Sequence, residues 1–325
     1  MRILVTGGAG YIGSVTAEML LAAGHAVVVL DNLSRGHRDA VPAGARLVIG
    51  DVRDGQEASA LMRRERTDCV MHFCAASLVG ESMVHPGHYF GNNVVGVIRL
   101  LQAMQAAEVR RFIFSSSAAV YGEPESVPIV EDAAVRPTNP YGESKATAER
   151  MLEWYRRLHG FRYASLRYFN AAGASAEHGE DHAPETHLIP LALQAAAGER
   201  AALQIYGRDY PTPDGTCIRD YIHVCDLADA HMRALDRLDT LETPVFNLGN
   251  GAGYSVLEVI AAVERVTGRK APVEDTPRRP GDPARLVASA ARARETLGWV
   301  PVRKLDEIVA DAWRWKQRYP HGYRR

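Results

Sequence analysis

The stretch Thr6-Gly7-Gly8-Ala9-Gly10-Tyr11-Ile12-Gly13 decides the fold, because it joins a short apolar run to a helical pattern at the start of the chain. The apolar run is Ile3-Leu4-Val5, which predicts a buried strand. The pattern over 12–23 predicts a helix that Gly24 ends. Glycines between a strand and a helix permit a tight turn, and they let backbone N–H groups approach a pyrophosphate. The spacing is G-x-x-G-x-x-G rather than G-x-G-x-x-G, so the flanking strand and helix carry the prediction of a dinucleotide site.

The same alternation continues through the first half of the chain. Apolar runs predict further strands at 26–30, 46–49, 69–73, 112–114 and 163–167. Helical patterns are predicted between them at 56–65, 94–107 and 141–159. Near-continuous apolar strands that alternate with helices are typical of a parallel sheet covered on both faces. We therefore expect an α/β protein with a Rossmann-type, doubly wound parallel sheet that binds its ligand at the carboxyl ends of the strands.

The alternation of strands and helices stops after about Asn170, where Gly, Pro, His and Asp become common. A capping box over 255–258 predicts a helix that ends at Gly268, and a last helix is predicted at 305–319. We expect residues 1–169, with about 221–248, to form the dinucleotide-binding domain. Residues 170–220 and 249–325 are expected to form a smaller, interleaved α/β domain that binds the substrate.

The composition excludes several classes of protein. The 325 residues are 46% hydrophobic and 24% charged, as in ordinary globular proteins. The formal net charge of −1 argues against a nucleic-acid or membrane partner. We expect a cytoplasmic protein, because the chain starts without a signal-peptide pattern and has no apolar run near the ~20 residues that span a bilayer. The cysteines form no C-x-x-C and are expected to be reduced thiols. The histidines give no metal signal, because three of them are spread through one loop. These three are His178, His182 and His187.

Two acidic residues that follow strands predict the cofactor. Asp31 ends the second strand, where a carboxylate accepts hydrogen bonds from the adenosine ribose and repels a 2′-phosphate, so NAD is favoured over NADP. Arg35 and Arg38 lie nearby and could bind a 2′-phosphate, so NADP stays open as the alternative. Asp51, after the third strand, is predicted to flank the adenine or else to cap its loop.

The catalytic prediction rests on Tyr141 and Lys145, which lie at i and i+4 and so share a helix face. A nearby ammonium favours the phenolate of a tyrosine, which can then take a proton from a hydroxyl group. An exposed helix face is the alternative for this pair. The run Ser115-Ser116-Ser117 ends the preceding strand and offers a hydroxyl to bridge the tyrosine and the substrate. Lys is rare in this chain, at only 145, 270, 304 and 316, so a chance pairing with Tyr141 is less expected.

These motifs identify the chain as similar to the extended short-chain dehydrogenase/reductases, a family that includes NAD-dependent sugar-nucleotide epimerases. The matching stretches run from end to end, and they include VTGGAGYIGS, LDNLSRG, FSSSAAVYG, NPYGESK, LRYFNAAGA and IYGRDYPTPDGTCIRDYIHV. The resemblance implies interconversion of UDP-glucose and UDP-galactose through oxidation at C4, rotation of the 4-keto sugar and re-reduction on its other face. It also implies that Tyr141 is the base, that Ser117 orients the 4-oxygen, and that Lys145 holds the nicotinamide ribose and tunes Tyr141.

The resemblance assigns further residues to the two ligands. Implied NAD contacts are Gly7, Gly10, Tyr11, Ile12, Gly13, Asp31, Asn32, Asp51, Val52, Phe73, Cys74, Ala75, Asn92, Ser117, Tyr141, Lys145 and Phe169. Implied contacts with the UDP-sugar are Ser117, Asn170, Leu188, Gln204, Ile205, Tyr206, Arg219, Arg279, Asp282 and Leu286. Tyr206 is expected to stack on uracil, and the two arginines to pair with the pyrophosphate. The resemblance also implies a homodimer, in which helices 94–107 and 141–159 pair with their copies.

Two departures from the family pattern and two alternatives accompany this reading. Ser77 stands where some members carry a lysine that touches the cofactor phosphates. Leu286 stands where some carry a tyrosine, which raises the hypothesis that UDP-GlcNAc or UDP-GalNAc is a secondary substrate.

A dehydratase or decarboxylase is the first alternative, but Ala118 and Ala119 replace the acids that such enzymes use. A non-catalytic dinucleotide-binding regulator is the second, although such proteins typically lack the Tyr or the Lys.

Overall fold

The computed structural model describes residues 1–279 and 281–323. Its strands are β1 (Arg2–Thr6), β2 (Ala26–Asp31), β3 (Arg46–Ile49), β4 (Cys69–His72), β5 (Arg111–Ser117), β6 (Arg162–Tyr168), β7 (Asn170–Ala172), β8 (Leu203–Tyr206), β9 (Ile218–Arg219), β10 (Tyr221–His223), β11 (Val245–Leu248), β12 (Tyr254–Ser255), β13 (Val273–Thr276) and β14 (Arg285–Leu286). Its helices are α1 (Tyr11–Ala22), α2 (Gly55–Glu65), α3 (Val79–Val84), α4 (Pro86–Tyr89), α5 (Gly96–Ala106), α6 (Pro140–His159), α7 (Leu188–Ala197), α8 (Val224–Arg237), α9 (Val256–Thr267), α10 (Ala291–Leu297) and α11 (Leu305–Arg318).

Seven strands form one parallel sheet in the order β11-β6-β5-β4-β1-β2-β3. The chain runs from β1 outward to β3 and then returns to β4 on the other side of β1. Loops that leave β1 and β4 therefore diverge, and a crevice opens between them at the carboxyl edge of the sheet. This arrangement confirms the predicted Rossmann-type fold class.

Apolar side chains cover both faces of this sheet. Along β1, Ile3 and Val5 belong to the core that α1 and α8 cover, whereas Leu4 belongs to the core beneath α2 and α5. All three are at most 1% exposed. Burial on both faces explains why the strands read as continuous apolar runs rather than as alternating patterns.

The helix α6 has a defined beginning and end. The Asn139 side chain accepts a hydrogen bond from the Gly142 N–H at 2.9 Å, Pro140 occupies the first turn, and Gly160 ends the helix in the left-handed conformation. These signals confirm the predicted helix over 141–159. The helix predicted over 94–107 is divided instead, because a π-helical segment, Phe90–Val95, precedes α5.

The second half adds small sheets around a core of its own. β10 pairs with β7, β9 lies between β12 and β14, and β13 pairs with β8. Helices α7, α9 and α11 pack together around Ile189, Val259 and Ile308. The Ser255 capping box of α9 is present as predicted. β11 belongs to the main sheet, and Trp299 packs beneath that sheet, so the two halves are interleaved, while the predicted domain boundaries stay a prediction.

None of the helices in the described ranges is both long enough and apolar enough to cross a membrane.

Candidate active site

The glycine turn between β1 and α1 leaves room only for glycine at two positions. Gly7 has φ +76°, and a Cβ there would lie 2.5 Å from the backbone N of Cys74. A Cβ at Gly13 would lie 2.3 Å from the carbonyl oxygen of Gly7. Gly10 begins α1, and none of the described side chains caps this helix. Backbone N–H groups at the start of α1 are therefore available to an anionic ligand.

Two adjoining clefts of about 360 and 400 Å³ follow the carboxyl edge of the sheet. Both are lined by Gly7, Gly10, Phe73 and Ala75. Every predicted cofactor residue lines one or both of them. The first is also lined by Tyr11, Ile12, Gly13, Ser117, Tyr141, Lys145 and Phe169, and the second by Asp31, Asn32, Asp51, Val52, Cys74 and Asn92. The residues thus fit an extended dinucleotide that passes over the glycine turn.

A buried carboxylate lies in the second cleft. Asp31 accepts hydrogen bonds from the N–H groups of Ala9 at 3.0 Å and Leu33 at 2.9 Å, and burial raises the pKa of its carboxyl. Arg35, which the sequence left open as a phosphate ligand, instead pairs with Glu81 at 3.2 Å and donates to the carbonyl of Ala183 at 2.8 Å. The acidic residue therefore dominates this end of the cleft, which fits a ribose with free hydroxyls.

Asp51 lies next to this carboxylate, at the same end of the cleft. Its side chain accepts from Asn32 at 3.0 Å and pairs with Arg53 at 2.6 Å. Arg53 holds the pKa of the Asp51 carboxyl far below its usual range. Asp51 is therefore ionised at neutral pH, and Asn32 and Arg53 fix the orientation of its carboxylate.

The three predicted catalytic side chains meet in the first cleft. Ser117 ends β5, and Tyr141 and Lys145 lie one turn apart on α6. Burial raises the pKa of Tyr141, and a hydrogen bond from Ser117 opposes that shift. The Ser117 oxygen accepts from the N–H of Ala119 at 3.1 Å, so its own proton is free to be donated to a second oxygen.

Lys145 is held close to the tyrosine. Its Nζ donates to the carbonyl of Ser115 at 2.6 Å and lies 5.9 Å from the centroid of the Tyr141 ring. Burial lowers the pKa of Lys145 to about 8, so the ammonium form still predominates at pH 7. A positive charge at this distance favours the phenolate of Tyr141.

The sequence analysis missed two polar groups that support this arrangement. The side-chain amide of Asn93 bonds to the N–H and the carbonyl of Ala76 and to the Ser144 hydroxyl, each at 2.9 Å, and so fastens the loop after β4 to α6. Glu149, two turns beyond Tyr141 on α6, forms a buried ion pair with Arg167. The i+4 spacing from Lys145 was a signal for Glu149. Its partner Arg167, however, lies on β6, which local spacing does not indicate.

The predicted substrate residues fall into two sets. Ser117 and Asn170 line the first cleft. The remaining eight lie outside the walls of both clefts, namely Leu188, Gln204, Ile205, Tyr206, Arg219, Arg279, Asp282 and Leu286.

Most of this second set clusters around β8 and β9. The Arg279 guanidinium lies 3.8 Å from the centroid of the Tyr206 ring, and Arg219 pairs with Asp282. Leu286 lies opposite Arg219 in the pairing of β14 with β9. Arg279 thus already covers one face of the tyrosine ring on which uracil is predicted to stack.

The two departures from the family pattern lie in different places. Ser77 lines the first cleft. Leu286 lies outside the walls of both clefts and packs, like Phe169, against a buried cluster that contains Ala118. Ala118 follows Ser117, so this apolar cluster adjoins the end of β5.

Comparison with known proteins places this fold and site in a class. The chain belongs to the NAD dependent epimerase/dehydratase family, whose pattern matches residues 3–249. It is 55% identical over 323 residues to the UDP-glucose 4-epimerase of Streptomyces lividans, which covers 99% of this chain and 98% of that protein. A UDP-glucose 4-epimerase known from a crystal structure matches with a TM-score of 0.97 and 50% identity over the whole of both chains. The UDP-glucose 4-epimerase of Brucella ovis in complex with NAD matches with a TM-score of 0.94 and 48% identity over 96% of this chain and 97% of that one. The resemblance to sugar-nucleotide epimerases is confirmed.

Proposed function

We propose that this protein is an NAD-dependent enzyme that interconverts UDP-glucose and UDP-galactose by inverting C4. The observation that carries the proposal is the meeting of Ser117, Tyr141 and Lys145 in the first of two clefts whose walls include every predicted NAD residue. The high identity to UDP-glucose 4-epimerases over nearly the whole chain supports the same activity.

The residues fit NAD on the strength of the structure itself. The turn at Gly7 and Gly13 has no space for side chains, and the uncapped start of α1 suits a pyrophosphate. Asp31 suits the adenosine ribose, and Lys145 suits the ribose at the other end. When bound, NAD supplies reversible uptake of the hydride from C4 and its return to the opposite face of the sugar.

The protein's own residues manage the proton. Tyr141, as the phenolate, takes the proton of the 4-hydroxyl while C4 is oxidised, and returns it to the 4-oxygen when the keto group is reduced. When substrate is bound, the Ser117 hydroxyl turns its proton from Tyr141 to the 4-oxygen and so orients it, while the hydroxyl oxygen still accepts from the Ala119 N–H. Lys145 places a positive charge near the Tyr141 ring, which favours the phenolate.

The substrate residues contribute charge and stacking outside the cofactor clefts. Arg219 and Arg279 are suited to the diphosphate, because a guanidinium matches two oxygens. Arg219 must exchange Asp282 for the diphosphate, and Arg279 must leave the Tyr206 ring if uracil is to stack on that face. Substrate binding therefore reorganises this surface.

The apolar surroundings of Leu286 support a second substrate class. Leu286 packs against the same buried cluster as Phe169, at a position where some relatives carry the larger tyrosine. We infer that UDP-GlcNAc and UDP-GalNAc are secondary substrates. Leu286→Tyr should lower turnover of UDP-GlcNAc far more than that of UDP-galactose, and failure of the wild type to invert C4 of saturating UDP-GlcNAc excludes this extension.

Two further expectations belong to the proposal. The homodimer is supported by Trp154 and Leu158, which are 59% and 67% exposed one turn apart on α6, whereas Leu152 is buried. A cytoplasmic location is supported by the four cysteines, all of which are free.

The activity is tested with purified protein and UDP-galactose. Formation of the C4 epimer with no net reduction of NAD is the expected result. Release of water or carbon dioxide would indicate a lyase, and NAD binding without conversion of any sugar nucleotide would indicate a regulator.

A further inference from the structure

Four side chains that the mechanism does not use meet in the loop before α7. They are Glu180, His182, Glu185 and His187, and one ligand atom from each lies within 4.8 Å of all the others. The sequence analysis predicted no metal site, because the histidines are spread through this loop. The fold brings two of them together with two carboxylates.

The distances in this cluster suit a small cation. Nδ1 of His187 lies 2.8 Å from Glu180 Oε1 and 2.9 Å from Glu185 Oε1. Nδ1 of His182 lies 3.1 Å from Glu180 Oε1 and 3.8 Å from Glu185 Oε2. In a tetrahedral zinc site with bonds of ~2.0–2.1 Å, neighbouring ligand atoms are ~3.3–3.4 Å apart. The four distances lie on both sides of this value, and all the ligand atoms lie within 4.8 Å of one another, so an ion would draw them together by movements of the order of an ångström or less.

The two carboxylates of the cluster are buried, whereas the two imidazoles are partly exposed. The side chains of Glu180 and Glu185 are 7% and 10% exposed, and those of His182 and His187 are 31% and 46% exposed. Buried carboxylates require a cationic partner. In the described chain neither pairs with Lys or Arg, so the imidazoles or a bound ion must supply that charge.

The loop that carries these residues is anchored at two points between its ligands. Arg35 donates to the carbonyl of Ala183 at 2.8 Å, and the N–H of Tyr323 donates to the Asp181 carboxylate at 2.9 Å. The Glu185 carboxylate accepts from the N–H of His187 at 2.8 Å. The loop backbone and the Glu185 carboxylate are therefore held in place by contacts that do not depend on an ion.

We propose that Glu180, His182, Glu185 and His187 bind one divalent transition-metal ion of the Zn²⁺ type. Two imidazole nitrogens and two carboxylate oxygens are ligands that zinc prefers. Glu180 and both imidazoles line the first cleft, and the His182 ring lies 6.2 Å from the Tyr11 ring. The ion would fix the loop against the wall of the cofactor cleft. The two imidazole ligands would be the ones more exposed to solvent.

Metal binding to the full chain tests the proposal independently of epimerase activity. Tag-free protein is stripped with a chelator and titrated with Zn²⁺ alone or Co²⁺ alone, with bound metal measured after equilibrium dialysis. One ion per chain and the intense visible absorption of tetrahedral Co²⁺ are expected. His182→Asn and His187→Asn should each weaken binding at least about tenfold.

A matched control is available in the same loop. His178 pairs with a single carboxylate, that of Glu18, at 2.9 Å, so His178→Asn should leave metal binding unchanged. Well under one ion per chain in the wild type overturns the proposal, and so does equal affinity in the wild type and a His182→Asn/His187→Asn double variant. If that double variant does not fold, the wild-type Co²⁺ spectrum decides, since a weak octahedral spectrum also overturns it.

Discussion

Arg167 donates two hydrogen bonds to the carboxylate of Glu149, at 3.0 and 2.6 Å, in the interior between α6 and the sheet. The hydroxyls of Ser116 and Ser165 donate to the same carboxylate at 2.6 and 2.8 Å. Glu149 lies one turn beyond Lys145 on α6, and Ser116 precedes the catalytic serine. The ion pair therefore fixes the helix that carries the base relative to the strand that carries the hydroxyl.

Glu149→Gln should destabilise the protein strongly, because it leaves the buried Arg167 charge without its partner. Removal of one member of a buried pair costs about 3–5 kcal/mol of unfolding free energy, which urea denaturation measures. Glu153→Gln is the matched control on the same helix, since Glu153 pairs with Arg156 and Arg157 near the surface. That change should cost about 1 kcal/mol or less, and equal losses in the two variants would show that Glu149 has no special role.

Lys145 should make the stability of the cofactor-free chain depend on pH. Its pKa is about 8 in the fold, below its ordinary value of 10.5, because of burial. Between these values the unfolded chain binds more protons than the folded chain, so this group destabilises the fold below pH 8 and does so less as the pH rises toward 10.5. The measurement is urea denaturation of wild type and Lys145→Met at pH 7.5 and pH 10.

The wild type should gain roughly 2–3 kcal/mol relative to the variant between these two conditions. Comparison with the variant cancels the contributions of the buried tyrosines, which both proteins share. The same pH dependence in both proteins would mean that Lys145 titrates near its ordinary value.

Gly13→Ala should weaken NAD binding, because its Cβ would lie 2.3 Å from the carbonyl oxygen of Gly7 in the turn between β1 and α1. Overpacking of this kind costs about 1–3 kcal/mol, which corresponds to a loss of about fivefold to over a hundredfold in affinity by calorimetric titration. Gly87→Ala is the control, because a Cβ there meets nothing within 4 Å. Normal NAD affinity in Gly13→Ala would contradict the assignment of the turn to the pyrophosphate.

Trp154→Glu with Leu158→Glu should separate the proposed homodimer into monomers. Both side chains are exposed on one face of α6, where burial against a second copy would remove apolar surface from water. Light scattering after size exclusion should give twice the chain mass for the wild type and one chain mass for the variant. A monomeric wild type would exclude the dimer.

Local sequence patterns were sufficient for the first six strands, the glycine turn and the Tyr141–Lys145 pair, because each depends on residues a few positions apart. They were insufficient where the contact crosses the fold. Arg167 reaches Glu149 of α6 from β6, and Asn93, within the π-helical segment Phe90–Val95, bonds to the loop after β4. The cluster of Glu180, His182, Glu185 and His187 likewise depends on how the loop before α7 folds back on itself, and no spacing in the sequence indicates that these side chains meet.

The central claim is that Tyr141 is the base in a site that binds NAD independently of it. The most direct test is UDP-galactose turnover by Tyr141→Phe, with bound NAD measured on the same sample. Loss of a general base typically lowers the rate by about 10²–10⁴-fold, so turnover should fall by that amount while bound NAD stays at the wild-type level. Turnover within a few-fold of the wild type in a variant that retains NAD would contradict the account.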